Sequence, residues 1–302
     1  MNVLVTGAHG TVGTAITDHL GDDERYDFTL LDVEPGNGSD TDPDAASGES
    51  VVADVREADE IRPHFDGQDA VVHLALIPGL GGIHDRDIGW TESVADNLES
   101  IHNVFEAAVE ADLDSIVFAS SNHAVGMEEV HNAPEIYRHD AGRSVDDAEP
   151  TIGDDADRSI DETESHRPDS RYGLVKCYGE DLGRLVAEAH DVRFYALRIG
   201  SVRDPEYDHP YGDAERGVAA GRWERASDAY EEPVARMKAT WQSRRDLAQL
   251  VDRCLQDESV EWDHFYGVSG NDRRWLDDLD HARETIGYEP LDNGEEWDAP
   301  PE

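Results

Sequence analysis

The chain has 302 residues, 70 of them Asp or Glu against 25 Lys or Arg, for a formal net charge of -45. So acidic a chain offers no basic footprint for a phosphate backbone, which excludes nucleic-acid binding. Two cysteines exclude a disulfide framework, and no stretch reaches the roughly 18 apolar residues of a membrane span.

Apolar runs such as "MNVLVTG", "AVVHLAL" and "SIVFASS" argue for a packed core rather than acidic disorder. The acid is read as a solvated surface suited to molar salt, where the Debye length falls to about 3 Å and self-repulsion is screened. Lysine survives only as Lys176 and Lys238, which fits a halophilic cytoplasm, and the chain is expected to be soluble and cytoplasmic.

In chain order, "NVLVTG" reads as a strand, "TVGTAITDHL" as a helix, "DFTLLD" and "SVVADV" as strands, and "EADEIRPHF" as a weak helix. Then follow the strand "DAVVHLAL", a long helix through "ESVADNLESIHNVFEAAVEA", the strand "SIVFAS", the helix "YGLVKCYGEDLGRLVAEAH" and the strand "RFYALRIG". Strands apolar on both faces and separated by helices predict an α/β, doubly wound parallel sheet, a Rossmann fold. Three acidic stretches rich in turn formers, 34–49, 127–169 and 202–235, read as loops, and the last two either cover a ligand site at the carboxyl end of the sheet or are solvated, salt-adapted insertions. The expected division is a dinucleotide-binding domain over 1–200 with the acidic insertion at about 127–169, and a C-terminal lobe over 201–302 whose stretch 242–268 packs back on the sheet.

"VTGAHGTVG" places Gly7, Gly10 and Gly13 between the first strand and the first helix. Glycine is needed there for a tight turn, for close backbone approach to a pyrophosphate and for helix–strand packing, while the helix start supplies unpaired amides. Asp32 closes the second strand at about the spacing, some 20 residues on, where a carboxylate binds the adenosine ribose. A carboxylate repels a 2'-phosphate, so NAD is favoured over NADP. Asp54, one strand further along, could bind the adenine amine.

Tyr172 and Lys176, at i and i+4 on a predicted helix, share one face. A neighbouring ammonium and an oxidised nicotinamide both favour the phenolate, so Tyr172 could take a hydroxyl proton while hydride leaves the same carbon. Ser120 or Ser121, at the end of "IVFASS", supplies a hydroxyl to orient the substrate. Asn97 could anchor a water or backbone contact in a proton relay, or serve as a buried structural amide. No pair of histidines has metal-ligand spacing, so no metal is expected. Cys177, Cys254, Trp241 and Trp275 read as packing residues.

"TGAHGTVG", the set Ser121, Tyr172 and Lys176, and "LRIGS" together resemble an extended short-chain dehydrogenase/reductase, the NAD-dependent epimerase/dehydratase superfamily. More narrowly, "FASSNHAVG", "YGLVKCYGE", "RMKATWQSRRDL" and "YGVSGNDRRW" resemble uronate dehydrogenases and the related haloarchaeal glucose-6-phosphate dehydrogenases. The likeness implies an NAD-dependent oxidation of the C1 hydroxyl of a cyclic anionic sugar, a hexuronate or a hexose 6-phosphate, to the lactone. A nucleotide-sugar epimerase or dehydratase with tightly held NAD is the alternative. It implies cofactor contacts at Gly7, Gly10, Thr11, Val12 and Gly13, at Asp32, Asp54 and Val55, at Leu74, Ala75 and Asn97, and at Tyr172 and Lys176. Ser121, Asn122 and His123 would touch sugar hydroxyls, Ser201 would line the pocket, and Arg236 would grip the anionic group through its planar fork. Homo-oligomerisation is left open, since helices flanking such sheets commonly pair. The insertion widens the interval from Ser121 to Tyr172 beyond the family pattern, and "LALIPGLGG" lacks the serine of uronate-binding enzymes near Pro78.

Overall fold

A computed structural model describes residues 1–35, 48–81, 90–138, 164–276 and 279–301. The apolar runs become β1 (Asn2–Thr6), β2 (Asp27–Asp32), β3 (Glu49–Val52), β4 (Ala70–His73), β5 (Ser115–Ser121), β6 (Arg193–Ile199) and β7 (Trp262–Gly267). All pairings are parallel, and the order is β3-β2-β1-β4-β5-β6-β7. Nine helices connect or follow these strands among the described residues: α1 (Thr11–Leu20), α2 (Ala58–Ile61), α3 (Glu92–Glu110), α4 (Met127–Asn132), α5 (Arg171–Ala189), α6 (Gly212–Ala219), α7 (Asp228–Thr240), α8 (Arg244–Gln256) and α9 (Leu279–Ile286).

Period-two alternation divides the strands between two cores. Val3, Val5, Val72, Val117 and Leu197 pack on the side of α1 and α8, whereas Leu4, Val71, Ile116, Phe118 and Phe194 pack on the side of α3 and α5. Each such fully buried side chain contributes about 1.5–3 kcal/mol. Glycines on α5 set how closely it lies on the sheet: a Cβ at Gly179 would meet the Phe118 ring at 2.3 Å, and one at Gly183 the Phe194 ring at 2.0 Å. The order reverses between β1 and β4, and this switch point opens a crevice at the carboxyl ends of the strands.

Two stretches read as loops differ in the structure. Region 202–235 carries α6 and most of α7, closed over a small cluster of Ala214, Tyr230 and Val234 with Trp223 against it. Pro233 inside α7 removes a backbone donor and so reads as a helix breaker in sequence, yet packing of Tyr230 and Val234 holds the helix. Region 127–169 opens with α4 and a 3-10 turn over Glu135–Arg138, and its residues 139–163 lie outside the described residues, as do 36–47 of the first expected loop. Cys177, Cys254, Trp241 and Trp275 are all buried.

Candidate active site

The turn from β1 to α1 is built on backbone contacts that only glycine permits. Gly7 has φ +70°, and a Cβ there would lie 2.7 Å from the Ala75 nitrogen; one at Gly13 would lie 2.3 Å from the Ala8 carbonyl. At Gly10 a Cβ would meet only the Gly7 carbonyl, at 3.4 Å, so that side stands open to the crevice. Gly10 caps α1 without any side chain, leaving the first-turn amides of Thr11, Val12 and Gly13 toward a cavity of about 500 Å³ that these residues line. A second cavity of about 550 Å³ adjoins it through Gly7, Gly10 and Leu74, and is lined by Asp32, Asp54, Val55 and Ala75. Asp32 accepts the amides of His9 at 3.0 Å and Val33 at 2.8 Å, which orients its carboxylate. Arg56 grips Asp54 through Nε and Nη2 and holds its carboxyl below the usual range. This cradle of bare amides followed by a carboxylate at the end of β2 fits a dinucleotide such as NAD.

Arg244, buried on α8, fastens the cradle from behind. Its guanidinium donates to the Thr11 carbonyl at 3.0 Å, the Thr14 hydroxyl at 3.1 Å and Asp18 at 2.6 Å. Asn97 is not brought to either cavity. It is buried on α3, where its amide accepts from the Ile77 N–H and donates to the Ile77 and Ser93 carbonyls, clamping the segment after β4 that forms the shared wall. These are the contacts of a buried structural amide, and neither cavity is lined by Asn97, where a cofactor contact was expected.

The other wall of the first cavity carries Ser121, Asn122, His123, Tyr172, Lys176, Ser201 and Arg236. Ser170 caps α5 by accepting the Gly173 amide at 3.1 Å, which starts the helix one residue before Tyr172. Ser121 and Tyr172 stand on this wall together, and the Ser121 oxygen accepts the His123 amide at 3.2 Å. Alternation along β5 separates the two serines: Ser120 donates to Glu180 in a buried cluster with Arg198 and His166, behind the catalytic face. Burial pushes the Tyr172 phenol up and outweighs the Ser121 hydrogen bond that pulls it down, with Asp169 adding to the rise. Lys176, 4% exposed, stands with its Nζ 5.5 Å from the Tyr172 ring centre and 5.1 Å from that of Phe118, and burial brings its ammonium down to about 8.

His123 and Asp169 form a pair that sequence reading missed. Nδ1 of His123 lies 2.7 Å from Asp169 Oδ2, and because a carboxylate only accepts, Nδ1 carries the proton. Asp169 is placed by the chain returning to α5, where Arg167 exchanges backbone hydrogen bonds with Ala124 and Met127. Preceding a capping serine, it reads in sequence as helix-start chemistry. Asn122 keeps its Nδ2 buried with no partner among the described residues, a donor ready for a hydroxyl. Ser201 shares a hydrogen bond of 2.8 Å with Thr240. Arg236 reaches the cavity already paired: Nε and Nη2 donate to Glu129 at 2.5 and 3.1 Å, and Nη1 lies 3.4 Å from the Ser201 hydroxyl. Among the described residues no group of three or more His, Cys, Asp or Glu side chains is placed to hold a metal, and no helix is long and apolar enough to cross a membrane.

A glycine cradle at the switch point and a Ser–Tyr–Lys set facing it define a nucleotide-dependent enzyme of the extended short-chain dehydrogenase/reductase type. The chain belongs to the NAD dependent epimerase/dehydratase family, whose model matches residues 3–261. It is similar to the NAD-dependent glucose-6-phosphate dehydrogenase of Haloferax volcanii, 34% identical over 297 residues that cover 98% of this chain and 95% of that protein. An L-arabinose 1-dehydrogenase (NAD(P)(+)) of the same organism is 32% identical, over 96% of both chains. Among solved structures, the glucuronic acid dehydrogenase from Chromohalobacter salexigens superposes with a TM-score of 0.68 at 27% identity, covering 98% of this chain and 86% of that one.

Proposed function

We propose that this protein is an NAD-dependent sugar dehydrogenase that oxidises the C1 hydroxyl of a cyclic sugar, in the first place an anionic one, to the lactone. The observation that carries the reading is that Ser121, Tyr172 and Lys176, with the Lys176 ammonium beside the Tyr172 ring, line the same cavity as the glycine cradle. Gly7, Gly10, Thr11, Val12 and Gly13 hold the pyrophosphate, Asp32 the adenosine ribose, and Asp54, Val55, Leu74 and Ala75 flank the adenine end. Bound NAD supplies the two-electron acceptor for the C1 hydrogen.

The chain's own groups handle the proton. Ser121 holds the C1 oxygen against the Tyr172 hydroxyl, and Tyr172 takes the C1 hydroxyl proton as the C1–H bond breaks. A phenol raised by burial is a poor base, so the Lys176 charge and the positive charge on the oxidised cofactor are what lower it in the loaded site. His123, oriented by Asp169, meets a second sugar hydroxyl, and Asn122 donates to another. Ser201 and the Nη1 edge of Arg236 meet the far end of the sugar, where a carboxylate or phosphate would lie. In this reading residues 1–200 carry the cofactor, and 201–302 complete the sugar side in a halophilic cytoplasm.

NADH formation is followed with glucose 6-phosphate, glucuronate, galacturonate, arabinose and glucose in molar KCl. Steady NADH production that Tyr172→Phe abolishes is the expected result. Isomerised sugar without net NADH would replace this reading with that of an epimerase, and unchanged turnover in Tyr172→Phe would remove the assigned base.

A further inference from the structure

Arg236 has five N–H donors in a fixed fork, and the fork's best side is already engaged. Glu129 on α4, 2% exposed, takes Nε and Nη2, and its Oε1 also accepts the Tyr137 hydroxyl at 2.7 Å. Burial alone would raise the Glu129 carboxyl, but the Arg236 charge and hydrogen bonds, with Tyr137, bring it below its usual value, so it is ionised. The edge left facing the cavity is Nη1, beside Ser201. The second cavity arginine, Arg203, is bound in the same way, with Nε and Nη2 each 2.6 Å from Asp213. An anionic sugar therefore meets Arg236 through one edge rather than a bidentate fork, and meets it with a buried carboxylate directly behind.

We propose that Glu129 is a specificity-determining residue of the sugar site, acting through Arg236: its charge tempers the guanidinium and sets how strongly the site prefers anionic over neutral sugars. The inference rests on the reading of this cavity as a sugar site. Like charges on either side of one guanidinium repel where one of them is buried, whereas a neutral sugar accepts from Nη1 without that opposition. Molar salt does not cancel the effect, because ions screen exposed charges far more than buried ones.

The test is the ratio of kcat/KM for glucose 6-phosphate and glucuronate to that for glucose and arabinose, in molar KCl, with the wild type, Glu129→Gln and Glu129→Asp. Glutamine removes the charge and keeps one of the two acceptor oxygens, enough for Tyr137 and one Arg236 N–H, so the ratio should rise about tenfold through a lower KM for the anionic sugars. Aspartate keeps the charge but draws it back by one methylene, so the ratio should rise less. A ratio that stays constant or falls in both variants, or rises more with Asp than with Gln, overturns the proposal. Calorimetric titration of the cofactor-free proteins with the same sugars reads the ratio independently of turnover. If the wild type oxidises none of them, the binding ratio alone decides the role of Glu129, and the failure falls on the dehydrogenase reading. If Arg236→Met leaves the affinity for both sugar classes unchanged, Arg236 is not a sugar contact and the proposal falls with it.

Discussion

Replacing Lys176 by methionine should stabilise the cofactor-free protein while removing its turnover. Lys176 is 4% exposed, rests against the rings of Phe118 and Tyr172, and has no carboxylate partner among the described residues. Burial brings its pKa from 10.5 down to about 8, which at 1.36 kcal/mol per unit corresponds to about 3 kcal/mol spent keeping the ammonium charged at neutral pH. An unfolded lysine keeps its proton to about pH 10.5, whereas the folded one releases it near 8. Between these values the unfolded state binds more protons, so wild-type stability rises with pH; below 8 the full penalty is present. Lys176→Met should therefore unfold roughly 5 °C or more above the wild type at pH 7, taking about 2 °C per kcal/mol for a chain of this size. The gap should close as pH rises from 8 to 10.5. Thermal unfolding of both proteins in molar KCl, followed by tryptophan fluorescence across that range, measures it. A variant that melts no higher at pH 7, or a gap that stays constant with pH, would refute the picture of an unpaired buried ammonium kept for catalysis.

Gly13→Ala drives a Cβ to 2.3 Å from the Ala8 carbonyl, a backbone atom that has nowhere to go. It should cost about 1–3 kcal/mol and weaken NAD binding in a fluorescence titration. Glu180→Gln leaves Arg198 buried without its anion and should destabilise the fold by about 3–5 kcal/mol in chemical unfolding. Burial raises the Glu180 carboxyl, but His166, Arg198 and Ser120 outweigh it and bring the value to about 2, so the stabilisation present above pH 4.5 is lost as pH falls toward 2. The glutamine variant should lack that acid-dependent loss. Transfer from molar KCl to dilute buffer should lower both melting temperature and turnover, because a charge of -45 is then unscreened; identical behaviour in the two buffers would contradict a salt-adapted surface.

Local pattern was enough for much of the site. The glycine run could be read because Gly7 and Gly13 each meet a backbone constraint within one turn while Gly10 leaves the cavity side bare, and Tyr172 and Lys176 because four residues of helix place them on one face. Asp32 was legible from its place at the end of β2. Region 202–235 was not legible as helical, since its apolar residues are sparse and Pro233 reads as a breaker. Asn97 illustrates a different limit: its burial could be guessed, but only the path of the segment after β4 shows that its amide holds Ile77 rather than facing the cavity.

Sequence by itself determined the doubly wound sheet, the cofactor turn and the Tyr–Lys pair, because each depends on spacings shorter than one element. Tertiary structure alone decided which acids stand behind the sugar-facing side chains. Glu129 lies 107 positions from Arg236 and Asp169 lies 46 from His123, and nothing local distinguishes either among 70 acidic residues. In a chain whose surface is covered with carboxylates, an acid is singled out by losing its water and gaining one partner, and only the fold brings that partner to it.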